Sequence, residues 1–332
     1  MSFPVSVVVP TYNRASLIGA TLESILDQSC APAEVIVVDD GSTDETESVV
    51  QRFPNTVKYH RIANSGVCAA RNFGVSLASS PWIAFCDHDD LWTPEKLAKQ
   101  IALHQESGVE YSFTNFRIVS GGAWKEQTKF DTAPPGFFND FQPTPQGLIA
   151  RRAYYEDLLR FQPIFPSTVL MSKRFFEKVG RFRPELGRNP SEDLEFTLRC
   201  AQHWPIGTIA EPLVGVRKHE SNYSGDNYLT TCGQIEILRF ALQAHALSQR
   251  KQELVTEQIN KRSIDAAAGA FARADFKGCT KLLSRVPRVR MDLKTKLKLS
   301  IASCPRPIAT TLHALASHLN AFRRFMIPRS LQ

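Results

Sequence analysis

The sequence predicts an α/β fold, a mostly parallel sheet flanked by helices, followed by an all-helical C-terminal region. Three observations carry that expectation. Short β-branched runs, apolar on both faces, alternate with segments of helical periodicity, which is the pattern of a parallel sheet covered on both sides. Acidic clusters, Asp39-Asp40 and Asp87 to Asp90, close two of those runs, where an open α/β sheet places its ligand crevice. Beyond Asn222 the periodicity is helical throughout. At 332 residues the chain exceeds one minimal core, and a boundary near residue 230 divides it into 1–230 and 231–332.

Val5-Ser6-Val7-Val8-Val9, stopped by Pro10, is the first strand, and 17–26 then sets Leu17, Ile18, Leu22, Ile25 and Leu26 on one helical face. Val35 to Val38 is the second strand, and a helix over 44–53 follows with Ser42 or Thr43 as its N-cap. The alternation continues with a strand at 57–62, a helix at 66–77, a strand at 82–86 and a helix at 94–106 that opens on Pro94. Tyr111 to Val119 is a further strand. After it the pattern loosens to about Ile164 through Ala133-Pro134-Pro135-Gly136-Phe137-Phe138, a stretch that reads either as a binding loop or lid or as a small local core. Helices are expected over 234–248, 253–274 and 277–284.

Composition is that of an ordinary globular protein, 43% hydrophobic and 22% charged. Seven widely spaced cysteines form no C-x-x-C pair and follow no signal peptide, so reduced thiols in a cytoplasmic protein are expected. No run approaches the ~18 apolar residues of a membrane-spanning helix. The net charge of +7 is uneven: from Lys277 onward twelve basic residues and one acid, Asp292, give +11 and leave −4 for the rest. A basic appendage calls for an anionic partner, lipid headgroups or nucleic acid. Residues 308–327 place Leu312, Leu315, Ala316, Leu319, Phe322, Phe325 and Met326 at helical spacing around Arg323 and Arg324. A helix lying in a membrane interface has that pattern, and so has one docked on its own core. With the basic run 288–298 alongside, and no nucleic-acid-binding motif, peripheral attachment to an anionic membrane surface is expected and nucleic acid is not.

Three carboxylates at the end of an apolar strand, Asp87, Asp89 and Asp90, repel one another and lose solvation on burial, so the cluster points to a divalent cation that neutralises it. A solvated turn with Asp90 capping the next helix accounts for the same residues.

Five segments in order resemble the inverting family 2 glycosyltransferases. They are Val5-Ser6-Val7-Val8-Val9-Pro10-Thr11-Tyr12-Asn13-Arg14, Val37-Val38-Asp39-Asp40-Gly41-Ser42-Thr43-Asp44, Gly66-Val67-Cys68-Ala69-Ala70-Arg71-Asn72, Asp87-His88-Asp89-Asp90-Leu91-Trp92 and Ser191-Glu192-Asp193-Leu194-Glu195-Phe196. The likeness covers roughly the first 225 residues and implies a GT-A fold, which is Rossmann-like.

It implies a role for each matched position. Pro10, Thr11 and Tyr12 would border the nucleobase and Asp39 would accept its imide N–H. Arg71 would lie near Asp39 and the phosphates, or would serve only as an ion pair. Asp87 would approach the ribose and donor sugar, and Asp89 would bind Mn²⁺ or Mg²⁺, with His219 as a further metal ligand and His88 pointing to solvent. Asp193 would be the catalytic base, although Glu192-Asp193 also suits a helix N-terminus. Glu192 and Trp204 would belong to the acceptor side, and Pro166-Ser167-Thr168 either to that pocket or to the core.

The implied function is metal-dependent, inverting transfer of a sugar from a nucleotide-diphosphate donor, a UDP-sugar, to a hydroxyl of a glycan or lipid-linked acceptor. The setting would be surface polysaccharide biosynthesis at the cytosolic membrane face. A sugar-1-phosphate nucleotidyltransferase would carry a Gly-rich, basic loop after the first strand, where this chain has Pro10-Thr11-Tyr12-Asn13-Arg14. A non-catalytic nucleotide-sugar binding or scaffold protein is the remaining alternative.

Overall fold

All seven residues of β1 (Val5–Thr11) and all six of β2 (Glu34–Asp39) are buried, as strands covered on both faces must be. The computed structural model describes residues 3–219 and 225–326, with side chains up to residue 316. Its chain divides into two units, Met1–Gly225 and Asp226–Gln332.

In the first unit α1 (Ala15–Leu26) turns Ile18, Leu22 and Ile25 into the core. The alternation runs on through α2 (Thr46–Val50), β3 (Val57–Arg61), α3 (Val67–Leu77), β4 (Trp82–Phe85), β5 (Leu91–Trp92), α4 (Lys96–Ser107) and β6 (Tyr111–Ser120). Thereafter come β7 (Ala123–Thr128), β8 (Phe141–Thr144), β9 (Gly147–Ala150), α5 (Tyr155–Leu158), β10 (Val169–Ser172), α6 (Lys173–Val179), α7 (Glu192–Cys200) and β11 (Gly207–Lys218).

The strands form one sheet in the order β3-β2-β1-β4-β10-β6-β11-β9-β8, with β5 on β11 and β7 on β6. The β3-β2-β1-β4 half is parallel. Beyond it β10 pairs antiparallel with both β4 and β6, while β6 and β11 run parallel, so the whole sheet is mixed. The chain moves outward from β1 to β3 and returns to β4 on the other side of β1. This reversal opens a crevice outside the carboxyl ends of β1 and β4. Register sets Thr11 beside Asp39 and Val8 beside Phe85, so the 87–90 loop emerges next to the end of β1.

Helix α3 lies close on this edge because Gly74 has no side chain: a Cβ there would overlap Val8 Cγ1 and stand 3.2 Å from Val38 Cγ2. Gly74→Ala is therefore expected to lower the urea midpoint by the equivalent of about 1–3 kcal/mol, and an unchanged midpoint would show that the helix can lift away freely.

The segment from 121 to 164 is a local core, the second of the two readings open to the sequence. Phe137 packs on Phe161 (4.8 Å between ring centroids) and Tyr154 (5.2 Å), and Phe138 on Phe130 (4.6 Å). Strands β7 to β9 within it carry no clean alternation, and β11 is broken by register shifts around Pro212, which hid all four from periodicity.

The second unit consists of α8 (Asn227–Ala244), α9 (Gln249–Ala272), α10 (Phe276–Leu283), α11 (Leu293–Ala302) and α12 (Arg306–Met326). Helix α8 begins well before the expected position 234 because Asp226 caps it, accepting from the Tyr228 and Leu229 amides. Asp226 also pairs with Arg273 through two bonds of 2.8 Å. Ala267, Ala270, Phe271, Cys279, Leu283 and Ile301 form this unit's core. All seven cysteines are free. Among the described residues no helix is long and apolar enough to cross a membrane.

Candidate active site

A cavity of about 450 Å³ opens at the crevice. Pro10, Thr11, Tyr12 and Arg14 line it from the end of β1, Asp40 from the turn that follows β2, and Gly66, Val67, Ala70 and Arg71 from the start of α3. Asp87, His88, Asp89 and Asp90 enter after β4, Glu192 and Asp193 from the first turn of α7, and Val216, Arg217 and Lys218 from the end of β11. Phe165, Pro166, Gly187, Arg188 and Pro190 are also on its wall.

Arg71 joins two parts of this wall that are far apart in sequence. Its guanidinium donates from Nη2 to Asp87 Oδ1 and from Nη1 to Glu192 Oε1, each at 2.8 Å, with the side chain only 2% exposed. The Phe182 ring lies under it, 5.2 Å from centroid to Cζ, and Phe182 is held by paired bonds with Asn72 and by stacking on Phe196 at 4.0 Å. Arg71 thus braces Asp87 and Glu192 rather than Asp39, since its two forks are already occupied by those carboxylates.

The 87–90 loop is fixed from below. Ser167 Oγ accepts from the Asp87 amide and donates to Asp90 Oδ2, while the Arg217 amide donates to Asp90 Oδ1. Burial, then the charges of Asp89 and Asp87, push the Asp90 carboxyl well above the usual range, so it favours the protonated form. The Arg217 guanidinium reaches the Asp89 carbonyl, the Leu17 carbonyl (2.9 Å) and Thr21 Oγ1 (2.7 Å). His88 does not point to solvent. Its Nδ1 lies 3.0 Å from the Pro10 carbonyl, and burial lowers its pKa, leaving a neutral ring that ties the loop to β1. Asp89 Oδ2 stands 3.0 Å from His219 Nε2, so these two side chains meet at the cavity edge.

Asp39 departs from its expected place. It is fully buried and faces away from the cavity, its oxygens accepting from the Ser42 amide (2.7 Å) and the Tyr59 hydroxyl (2.5 Å). Its neighbour Asp40 lines the cavity and accepts from the Ser65 and Gly66 amides at 2.7 and 2.8 Å, shaping the entry to α3. The alternation of side chains along a strand decides which acid faces which way, and the last residues of β2 left that undecided in sequence. Trp204 is likewise outside the cavity, on the surface at 63% exposure. Ser167 and Thr168 are fully buried, while Pro166 reaches the cavity wall.

The Asp193 carboxyl is held well above the ordinary carboxylate range. Burial raises it, the neighbouring Glu192 charge raises it further, and together these outweigh Arg71 to bring it up to about 8. A carboxyl poised there takes a proton from a hydroxyl more readily than one left near its ordinary value.

Residues 6–175 match the family described as glycosyl transferase family 2. The chain belongs to glycosyl transferase family 2. Among relatives, the glycosyltransferase YwdF of Bacillus subtilis (strain 168) is 31% identical over 210 residues, 62% of this chain and 70% of YwdF. TuaG of the same organism, named for teichuronic acid biosynthesis, is 37% identical over 120 residues, 35% of this chain. WfgD of Escherichia coli, a UDP-Glc:alpha-D-GlcNAc-diphosphoundecaprenol beta-1,3-glucosyltransferase, is 33% identical over 122 residues, 36% of this chain. The chain spans about half the length of TuaG and of WfgD, 48% in each case. Residues 1–349 of S. aureus TarS, in complex with UDP-GlcNAc, align with a TM-score of 0.62 at 21% identity over 86% of this chain and 82% of that one. The sheet and its helices are the GT-A fold, followed by a helical C-terminal region.

In this family 2 chain one group of cavity residues carried no sequence signal. Gly187, Arg188 and Pro190 come from a loop between helices, and loops have no period to read. Gly66 was marked as a helix start and as the head of one resembling segment; its φ of +89° and the Gly187 carbonyl 3.1 Å from where its Cβ would sit show further that the two glycines let these walls touch.

Proposed function

We propose that this family 2 chain transfers a sugar from a nucleoside-diphosphate donor to a hydroxyl acceptor in one displacement that inverts the anomeric carbon, with Asp193 as the base. One observation carries the reading: Asp193 and the Asp87 to Asp89 loop line one cavity, linked through Arg71 and Glu192, although they lie in separate parts of the sequence. Donor and acceptor groups held at that wall would meet with the hydroxyl on the Asp193 side and the diphosphate on the Asp89 side.

Pro10, Thr11 and Tyr12 are assigned to the nucleoside. All three line the cavity at the end of β1, with Tyr12 the most exposed of them. Asp40 takes the place on this wall first given to Asp39. A UDP-sugar donor is favoured by the UDP-Glc in the name of WfgD and the UDP-GlcNAc bound to TarS, and a glycan on a lipid-linked diphosphate as acceptor by the name of WfgD. Glu192 is assigned to positioning through Arg71 and Asp87 to the ribose and sugar.

The donor set suits a hard divalent ion. Asp89 and His219 would hold Mn²⁺ or Mg²⁺, which when bound offsets negative charge on the departing diphosphate. Among the described residues no three ligating side chains gather as a ready cluster, which fits an ion that takes its remaining ligands from phosphate and water. Asp89→Ala is expected to weaken Mn²⁺-dependent UDP binding about tenfold or more by calorimetry. Equal affinity in the variant would remove Asp89 from the metal.

A further inference from the structure

On the second unit, apolar side chains that a soluble helix ordinarily turns inward stand in water. Val289, in the turn before α11, is 88% exposed, and Leu293 at the start of α11 is 85% exposed. Leu297 follows one turn later on the same face. Ile308, Leu312 and Leu315 make a second exposed stripe at helical spacing on α12, which packs against α11. The neighbouring exposed charged residues are Arg288, Arg290, Lys294, Lys296 and Arg306, with Asp292 as the one acid among them.

The inward sides of both helices are already satisfied, because Ile301, Ala302 and Ala309 are buried in this unit's own core. The exposed stripes are therefore a second apolar surface, distinct from the one that folds the unit. The stripe on α12 continues in sequence to Leu319, Phe322, Phe325 and Met326, whose side chains lie outside the described residues.

We propose that this face lies on an anionic lipid surface, with Leu293 and Leu297 entering the headgroup region and Arg288, Arg290, Lys294 and Lys296 meeting lipid phosphates. Aliphatic insertion and cationic attraction are the two contributions such a surface rewards together. A second copy of the chain would gain the first and lose on the second: from Lys277 onward there are twelve basic residues and one acid, so self-pairing opposes like charges. Nucleic acid would gain only the second. Among the described residues of this unit none of the exposed large apolar side chains is aromatic, so none offers a stacking platform for a base.

The test uses the full chain with no sugar donor or acceptor, so its result is independent of the transferase reading. Sedimentation with phosphatidylcholine vesicles, with and without a phosphatidylglycerol fraction, is expected to show binding only to the anionic vesicles, weakening as salt rises. Leu293→Ser with Leu297→Ser, and separately Arg288→Glu with Arg290→Glu, should each weaken it about tenfold or more. These positions are exposed, so circular dichroism should be unchanged in both variants. The proposal is overturned by absent or lipid-independent binding, or by either folded variant binding as the parent does. It is overturned in favour of a second copy by a dimer in analytical ultracentrifugation that Leu293→Ser with Leu297→Ser dissolves.

Discussion

Asp193→Asn should lower the transfer rate by about 10²–10⁴-fold, the usual contribution of a positioned general base, while donor affinity in the presence of Mn²⁺ stays within about a factor of two. The amide keeps the shape of the carboxyl but cannot accept the hydroxyl proton. The pH dependence follows from the raised carboxyl. Only the ionised form is a base, so kcat/KM of the parent should climb about tenfold per pH unit below a pKa near 8 and level off above it. Stability runs the other way. Asp193 is protonated in the folded chain up to about pH 8 but ionised in the unfolded chain above the ordinary carboxylate range, so the folded state binds the extra proton. The contribution of Asp193 to stability therefore falls as pH rises from about 4 to about 8. The Asn variant escapes that loss and should be the more stable protein at pH 8, on the order of a few kcal/mol by chemical denaturation. A variant equally active, or less stable at pH 8 than at pH 5 by as much as the parent, contradicts the assignment.

Arg71→Met should destabilise the fold by about 3–5 kcal/mol, because removing a buried cation leaves the carboxylates of Asp87 and Glu192 without their partner. Arg71→Lys restores a charge but not two forked donors, so it should recover only part of the loss. The same substitution has a catalytic signature that mere loosening would not produce. Arg71 holds the Asp193 carboxyl down, so in Arg71→Met the rising limb of the pH profile should move to higher pH. A limb left in place would show that Arg71 braces the wall without setting its electrostatics.

How much of this was legible without coordinates differs by region, and the reason is physical. Most strands and helices up to β6 announced themselves, the buried strands because burial on both faces forces uninterrupted apolar runs, as at Val35 to Val38; the two-residue β5 is too short to show a pattern. The later strands did not. β11 carries Pro212 and bulges within it, and β7 is exposed along most of its length, so neither shows the period expected of a half-buried strand. The acids of the cavity could be found as a group because like charges collect only where something offsets them. Their individual partners could not: Asp39 and Asp40 are adjacent, and only the twist and pleat of β2 decide that the first meets Tyr59 and the second the cavity. Arg71 was placed on the correct helix but given the wrong neighbour, since its reach to Glu192 depends on how α7 returns to the sheet. Arg217 secures both Asp90 and the Asp89 carbonyl through its backbone and side chain, a role that depends on β11 returning beside β5.

The stereochemistry of the product tests the central claim most directly. With a panel of α-linked nucleoside-diphosphate sugars, a hydroxyl acceptor and Mn²⁺, proton NMR of the anomeric centre should show a β-linked product from the parent and next to none from Asp193→Asn. An α-linked product, or equal turnover by the two proteins, would contradict a single displacement driven by Asp193 in this cavity.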